Sequence, residues 1–177
     1  LEASGSFGDT TSLTISLWVN PASLNTGSGQ DIFNDSTRAN GNDVRISLRK
    51  GNILSGRSDK GPDSDINRSL TSSAADPGKW THVVYTASED GPSSIYFNGV
   101  YSGGSETGGR NVGYHSPLRL GLSEWDNHPF HGKIDSVRYY ERVLLADEVL
   151  QLYQSEKNTS WTVPGTINYQ GRLTDGN

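Results

Sequence analysis

The sequence predicts an all-β fold, a two-sheet antiparallel β-sandwich with one short helix near the C-terminus. Three observations predict it. Gly and Pro are frequent, 21 and 7 of 177 residues, and each Gly inside a helix would destabilise it by roughly 0.5–1 kcal/mol relative to Ala. Apolar residues alternate with polar ones over short runs, the period of a strand with one buried face. A single segment carries the three-to-four spacing of a helix. Leu, Ile, Val and Phe make up about a fifth of the chain, just above the level where disorder becomes the default, and the net charge of −5 is too small to force expansion. A folded domain with a thin core follows.

The elements read in order. Leu13, Ile15, Leu17 and Val19 face one way and Thr14, Ser16, Trp18 and Asn20 the other, and Pro21 ends the run because it cannot donate to a ladder. Residues 44–50 repeat the pattern, and Gly51-Asn52 turns the chain into Ile53 and Leu54 as a hairpin. Residues 80–86 and 94–97 give two strong strands, in which Trp80, Tyr85, Tyr96 and Phe97 read as packing aromatics. Asn98-Gly99, both tolerant of positive φ, leads tightly into Val100-Tyr101. Strands follow at 118–122 and 133–140. In 146–153, Val149, Leu150, Leu152 and Tyr153 share a helical face, and Asp147 and Glu148 occupy the first turn, where the helix dipole favours negative charge. The turn-rich stretches 26–30, 34–43, 56–67, 103–113 and 123–132 read as loops that form a functional rim.

Composition excludes several functions. With 20 acidic against 15 basic residues and no Lys/Arg cluster along the chain, no footprint for a nucleic-acid backbone is present. No apolar run approaches the roughly 20 residues that span a bilayer, so no membrane insertion is expected. Zero Cys removes disulfides, thiolate metal sites and cysteine nucleophiles together. A start without Met points to a piece of a longer protein.

Six stretches in order carry a family resemblance: Thr14-Ile15-Ser16-Leu17-Trp18-Val19-Asn20-Pro21, Gly78-Lys79-Trp80-Thr81-His82-Val83-Val84, Ile95-Tyr96-Phe97-Asn98-Gly99, Leu118-Arg119-Leu120-Gly121, Phe130-His131-Gly132-Lys133-Ile134-Asp135-Ser136-Val137-Arg138-Tyr139-Tyr140, and Leu144-Leu145-Ala146-Asp147-Glu148-Val149. Together, over about 1–153, they resemble the laminin G-like, concanavalin A-like jelly-roll domains. The resemblance implies a jelly-roll sandwich over 1–157. Members bind glycans or proteins, and some relatives are glycoside hydrolases. Family members open with a strand ending in an aromatic-Asp-Gly stretch, and none precedes Leu1. The alternation of Ile167, Tyr169, Gly171 and Leu173 with Asn168, Gln170, Arg172 and Thr174 therefore reads as that strand displaced into the extension 158–177. It either completes this sandwich or a neighbouring module's, or the extension is a linker.

No catalytic constellation is legible. Hydrolase relatives carry Glu-x-Asp-x-Glu on one strand, whereas Glu124-Trp125-Asp126-Asn127-His128 has His128 in the third place and Pro129 after it. A structural calcium ion is the expected cofactor. The resemblance implies Asp135 as a ligand, with backbone carbonyls near Gly171, and the alternative for Asp135 is a buried carboxylate satisfied by N–H groups. Asp63-Ser64-Asp65 reads as a solvated turn, and His82 as structural. Trp125 stands among Glu124, Asp126 and His128 with no pattern to bury it, so it can stack on a sugar face or fold over the sandwich edge. Tyr114 and Arg110 flank a Gly-rich loop as further ligand contacts. Asn34, Asn67 and Asn158 begin glycosylation sequons. The expected function is a non-catalytic module of a bacterial extracellular or cell-surface protein that binds carbohydrate or a cell-surface glycan, or mediates adhesion. The alternative is a structural repeat that self-associates by exchange of the C-terminal strand.

Overall fold

The alternating runs pair into two antiparallel sheets laid face to face. The computed structural model describes residues 2–3, 11–36, 43–59, 70–89, 91–105, 118–122 and 128–157. Within them run β1 (Glu2–Ala3), β2 (Ser12–Pro21), β3 (Gln30–Ser36), β4 (Asp43–Leu48), β5 (Ile53–Asp59), β6 (Leu70–Ala74), β7 (Thr81–Ser88), β8 (Ser93–Phe97), β9 (Val100–Ser105), β10 (Leu118–Leu120), β11 (Gly132–Tyr140) and α1 (Ala146–Glu156). One sheet has the order β1-β10-β3-β4-β5-β6 and the other β11-β2-β7-β8-β9. The sandwich and its helix are those expected from the sequence. The strand expected at 167–174, with the rest of the extension 158–177, lies outside the described residues.

The core sits between the inner faces. Leu13, Ile15, Leu17 and Val19 of β2 meet Ile32 and Phe33 of β3, Ile46 of β4 and Tyr85 of β7, all fully buried. A bulge in β3 between Asp31 and Phe33 turns two successive residues, Ile32 and Phe33, into the core. Gly56 falls inside β5 because the Tyr85 ring lies against it, and a β-carbon there would overlap the ring. Asn98 and Gly99 have φ of 47° and 79°, the tight β8–β9 hairpin expected.

The loops read from composition are shorter than expected. Residues 34–36 belong to β3, 56–59 to β5 and 103–105 to β9, and β6 is not legible in the sequence at all. Asp31, Asn34 and Asp35 have poor strand propensity, yet all three are buried in β3, where Asp31 accepts from Ser47 across the ladder and from Asn34 on its own strand.

The outer face of the five-stranded sheet is covered, so Thr14, Ser16 and Trp18 are buried rather than solvated as simple alternation suggests. Val84 and Tyr96 pack against Leu144 and Val149, with Tyr140 and Leu152 at the margin. Thr14 Oγ1 donates to the Arg142 carbonyl at 2.7 Å and accepts from the Leu144 N–H at 2.9 Å, which fixes the approach to α1. The Leu145 N–H donates to Glu148 Oε2 at 2.8 Å, half of a capping box. Arg142 grips both oxygens of Glu148, and with the Leu145 N–H it lowers that carboxyl to about 2. Near the far end of the helix, Trp18 Nε1 donates to Glu156 at 2.6 Å, Arg138 of β11 pairs with the same carboxylate, and Tyr153 stacks over Trp18 and His82.

Candidate functional site

Two grooves have the chemistry of binding sites. The first, about 390 Å³, lies where β6 and β9, the last strands of the two sheets among the described residues, meet. The turn before β7 places Trp80 at its wall: Gly78, with φ of 77°, donates its N–H to the Pro21 carbonyl, and Lys79 binds Asp76 at 2.9 Å on the exposed surface. Buried Phe97 and Tyr101, the latter 56% exposed, line it as well. The Tyr101 ring rests edge-on against buried Tyr96, centroids 5.8 Å apart at 76°. Asn98 spends its Oδ1 on the His82 N–H at 3.0 Å, while its amide nitrogen has no partner among the described residues. Flat aromatic surfaces flanked by a carboxylate, an ammonium and an amide match the alternating C–H and hydroxyl faces of a sugar.

The second groove, about 240 Å³, opens on the outer face of the six-stranded sheet. Register builds it. Asp31, Ser47 and Ser55 form one cross-strand row over β3, β4 and β5, and Arg119, Asn34, Arg45 and Arg57 form the next over β10, β3, β4 and β5. Asp31, 4% exposed, accepts from Ser47 Oγ at 2.7 Å and from Asn34 Nδ2 at 3.2 Å, with Arg45 at 3.9 Å. Arg49 donates to Ser55 Oγ at 3.0 Å. The His128 carbonyl accepts the Asp31 N–H at 3.0 Å, which brings His128 to the rim. The sequence has no basic cluster along the chain, but the fold makes one in space.

Of the ligand contacts expected from sequence, His128 lines the arginine groove, whereas Trp125, Asp126, Tyr114 and Arg110 lie outside the described residues. Trp80, read from the sequence as a packing aromatic, is half-buried and also lines the first groove, because it precedes β7 instead of alternating within it. The Asp76-Pro77-Gly78 turn before it is the signal that could have placed it there. Asp135 is exposed and not a buried carboxylate. It stands at a bulge in β11 where Ser136 has φ of 48°, and its Oδ1 accepts the Ser136 N–H at 2.6 Å. No cluster of three metal-binding side chains occurs among the described residues, and Gly171 lies outside them. Asn34 is fully buried, so that sequon is closed to a glycan, and Asn67, Asn158 and Asp63-Ser64-Asp65 lie outside the described residues.

His82 is structural, as expected. It is fully buried, 2.8 Å from Ser16 Oγ and 5.1 Å from the Trp18 ring, and burial, with Arg138 nearby, lowers its pKa to about 4. No described helix is long and apolar enough to cross a membrane.

Known structures share the fold. A heptameric SAP-like pentraxin from Limulus polyphemus superposes with a TM-score of 0.65 at 16% identity, over 81% of this chain and 70% of its own. A Bacteroides ovatus protein described as a candidate carbohydrate binding protein gives 0.60 at 18%, over 85% of this chain and 42% of its own. Botulinum neurotoxin type C, from a structure on the dependence of its cell entry upon two ganglioside molecules, gives 0.64 at 16%, over 82% and 36%. The chain thus spans less than half of the last two. No curated protein matches it. The model of the Laminin_G_3 family matches residues 1–150, and with the two-sheet jelly roll this places the chain in that family, within the concanavalin A-like lectin/glucanases superfamily.

Proposed function

We propose that this chain is a non-catalytic carbohydrate-binding module of an extracellular or cell-surface protein, and that the groove between Trp80 and Tyr101 holds the sugar. The observation that carries this reading is that two aromatic side chains, half-buried Trp80 and exposed Tyr101, line one groove of saccharide size, beside Asp76, Lys79 and Asn98. The descriptions of the Bacteroides protein and of the neurotoxin support a glycan as the ligand class. The sequence expectation of Trp125 and Asp126, with Tyr114 and Arg110, as contacts stays within the proposal as a second locus. A glycan array probed with the parent chain, Trp80→Ala and Trp125→Ala separates them. Trp80→Ala is expected to lose binding by tenfold or more while the variant stays folded by circular dichroism. Full binding by Trp80→Ala with loss in Trp125→Ala moves the site to the second locus, and no glycan bound by the parent defeats the reading.

The proposal includes structural calcium at Asp135. Calcium takes six to eight oxygens, and Asp135 supplies one exposed carboxylate, so the remaining ligands would be backbone carbonyls and other oxygen donors. A calcium ion bound only to the native state stabilises it by mass action. Chelation is expected to lower the melting temperature of the parent and leave Asp135→Ala unchanged; equal curves with and without chelator remove the ion from the account.

A second reading, a self-associating structural repeat, is favoured by the position of β11. It is the last strand of its sheet among the described residues, and its Ile134, Val137 and Tyr139 are only partly covered while packing on the core.

A further inference from the structure

We propose that Gly104 is a positioning residue of the Trp80 groove: it leaves the space into which the Tyr101 phenol is laid, and so sets the ring on which a saccharide stacks. The proposal rests on the reading of that groove as a sugar site. Ordinary strand physics does not call for glycine here. Gly104 lies inside β9 opposite Ser94 of β8, where a glycine weakens a strand by leaving its backbone unrestrained and giving its neighbours no side chain to pack on. Its φ lies outside the left-handed region that Gly51, Gly78, Gly99 and Gly121 occupy, so the backbone does not require it. It is exposed, so packing in the core does not require it either. Space does. A β-carbon at this position would stand 2.5 Å from the Tyr101 hydroxyl, 3.3 Å from the ring carbon that bears it and 3.0 Å from the Ser93 carbonyl oxygen.

The ladder shows how the two residues meet. In a regular strand, residues 101 and 104 point to opposite faces. Here Tyr101 pairs with Tyr96 and Gly103 with Ile95, so Ser102 is an extra residue, a bulge that resets the alternation. Ile95 and Phe97 face the core, whereas Tyr96 packs outward with Leu144 and Val149, so Tyr101 and Gly104 follow one another on that same outer face. The Tyr101 ring thus has Tyr96 against its side and Gly104 under its hydroxyl, and it is still 56% exposed where it lines the groove. An aromatic ring ordered before the ligand arrives spares binding the entropy of ordering it, and its face suits the C–H face of a sugar. The matching ligand is an uncharged saccharide, because Asp76 and Lys79, the charged residues described in the groove, pair with each other at 2.9 Å.

Four forms of the 177-residue chain test this: the parent, Gly104→Ala, Tyr101→Phe and the double variant Gly104→Ala/Tyr101→Phe. Each is checked for folding by circular dichroism, read by NMR for the nuclear Overhauser contact between the rings at 96 and 101, and titrated with cellotriose, chitotriose and maltotriose. Gly104→Ala is expected to lose the ring contact and to weaken binding of the trisaccharide the parent prefers by about three- to tenfold. Tyr101→Phe removes the atom that the new methyl group meets first, so the double variant should regain the ring contact and bind within twofold of Tyr101→Phe alone, a rescue that general destabilisation cannot imitate. A ring contact that persists in Gly104→Ala, an affinity that does not change when the contact is lost, or a double variant that is as weak relative to Tyr101→Phe as Gly104→Ala is relative to the parent overturns the proposal and leaves the sugar site standing. A parent that binds none of the three trisaccharides overturns the proposal as well, and with an empty glycan array the sugar reading falls with it.

Discussion

His82 lies at the junction of β2, β7 and α1, with no exposed surface. Its proton affinity links packing to pH. Unfolded, the imidazole titrates near 6.5, and in the fold at about 4. Above pH 6.5 neither state holds the proton and stability is complete; as pH falls from 6.5 towards 4 the unfolded state binds it first, and stability drops by about 1.4 kcal/mol per pH unit. Urea melts between pH 7.5 and 4.5 should show this slope and His82→Gln should lose it, whereas parallel profiles would show that the imidazole does not couple to folding. Gly56 tests packing at the same scale. A β-carbon there meets the Tyr85 ring in the middle of the core, so Gly56→Ala should cost about 1–3 kcal/mol in chemical denaturation. A neutral substitution would mean that the ring can move. Neither property is legible in sequence, because alternation tells which face a residue takes but not what covers that face. Trp18 and Trp80 show the same limit: both precede or sit in strong strands, and the fold buries one under a helix and leaves the other at a rim.

At the scale of elements, the hydrophobic periods of β2, β4, β7 and β8 and the helix were readable because a thin core requires strict alternation. β3 and β6 were not. β3 carries Asp and Asn on a strand whose Asp31 is satisfied by Ser47 of the next strand and by Asn34 of its own, and β6 has one large apolar residue and is the last strand of its sheet among the described residues. The arginine groove was hidden for a related reason, since Arg45 and Arg57 become neighbours only through the β4–β5 register. β11 carries the element-scale prediction. A ladder with no further strand among the described residues, beside partly covered Ile134, Val137 and Tyr139, invites another strand, and the alternation of Ile167, Tyr169, Gly171 and Leu173 supplies a candidate. Removing 158–177 should therefore lower the melting temperature by several degrees or change the oligomeric state in sedimentation. A truncated chain with the parent's melting curve and mass makes the extension a linker.

For the whole molecule, two packed sheets and a clamped helix form a scaffold that presents one groove at the seam of its edges and another on a sheet face. Fold was legible from periodicity and from six ordered stretches, whereas ligand was not, because this architecture carries many functions on its rims and faces. The central claim is that a saccharide lies between Trp80 and Tyr101. Chemical-shift mapping of the labelled chain against the best glycan from the array tests it most directly. The account predicts the largest shifts at the Trp80 indole N–H, Thr81, the Asn98 side-chain amide and Tyr101, with saturable titration curves; shifts confined to other surfaces, or none, would contradict it.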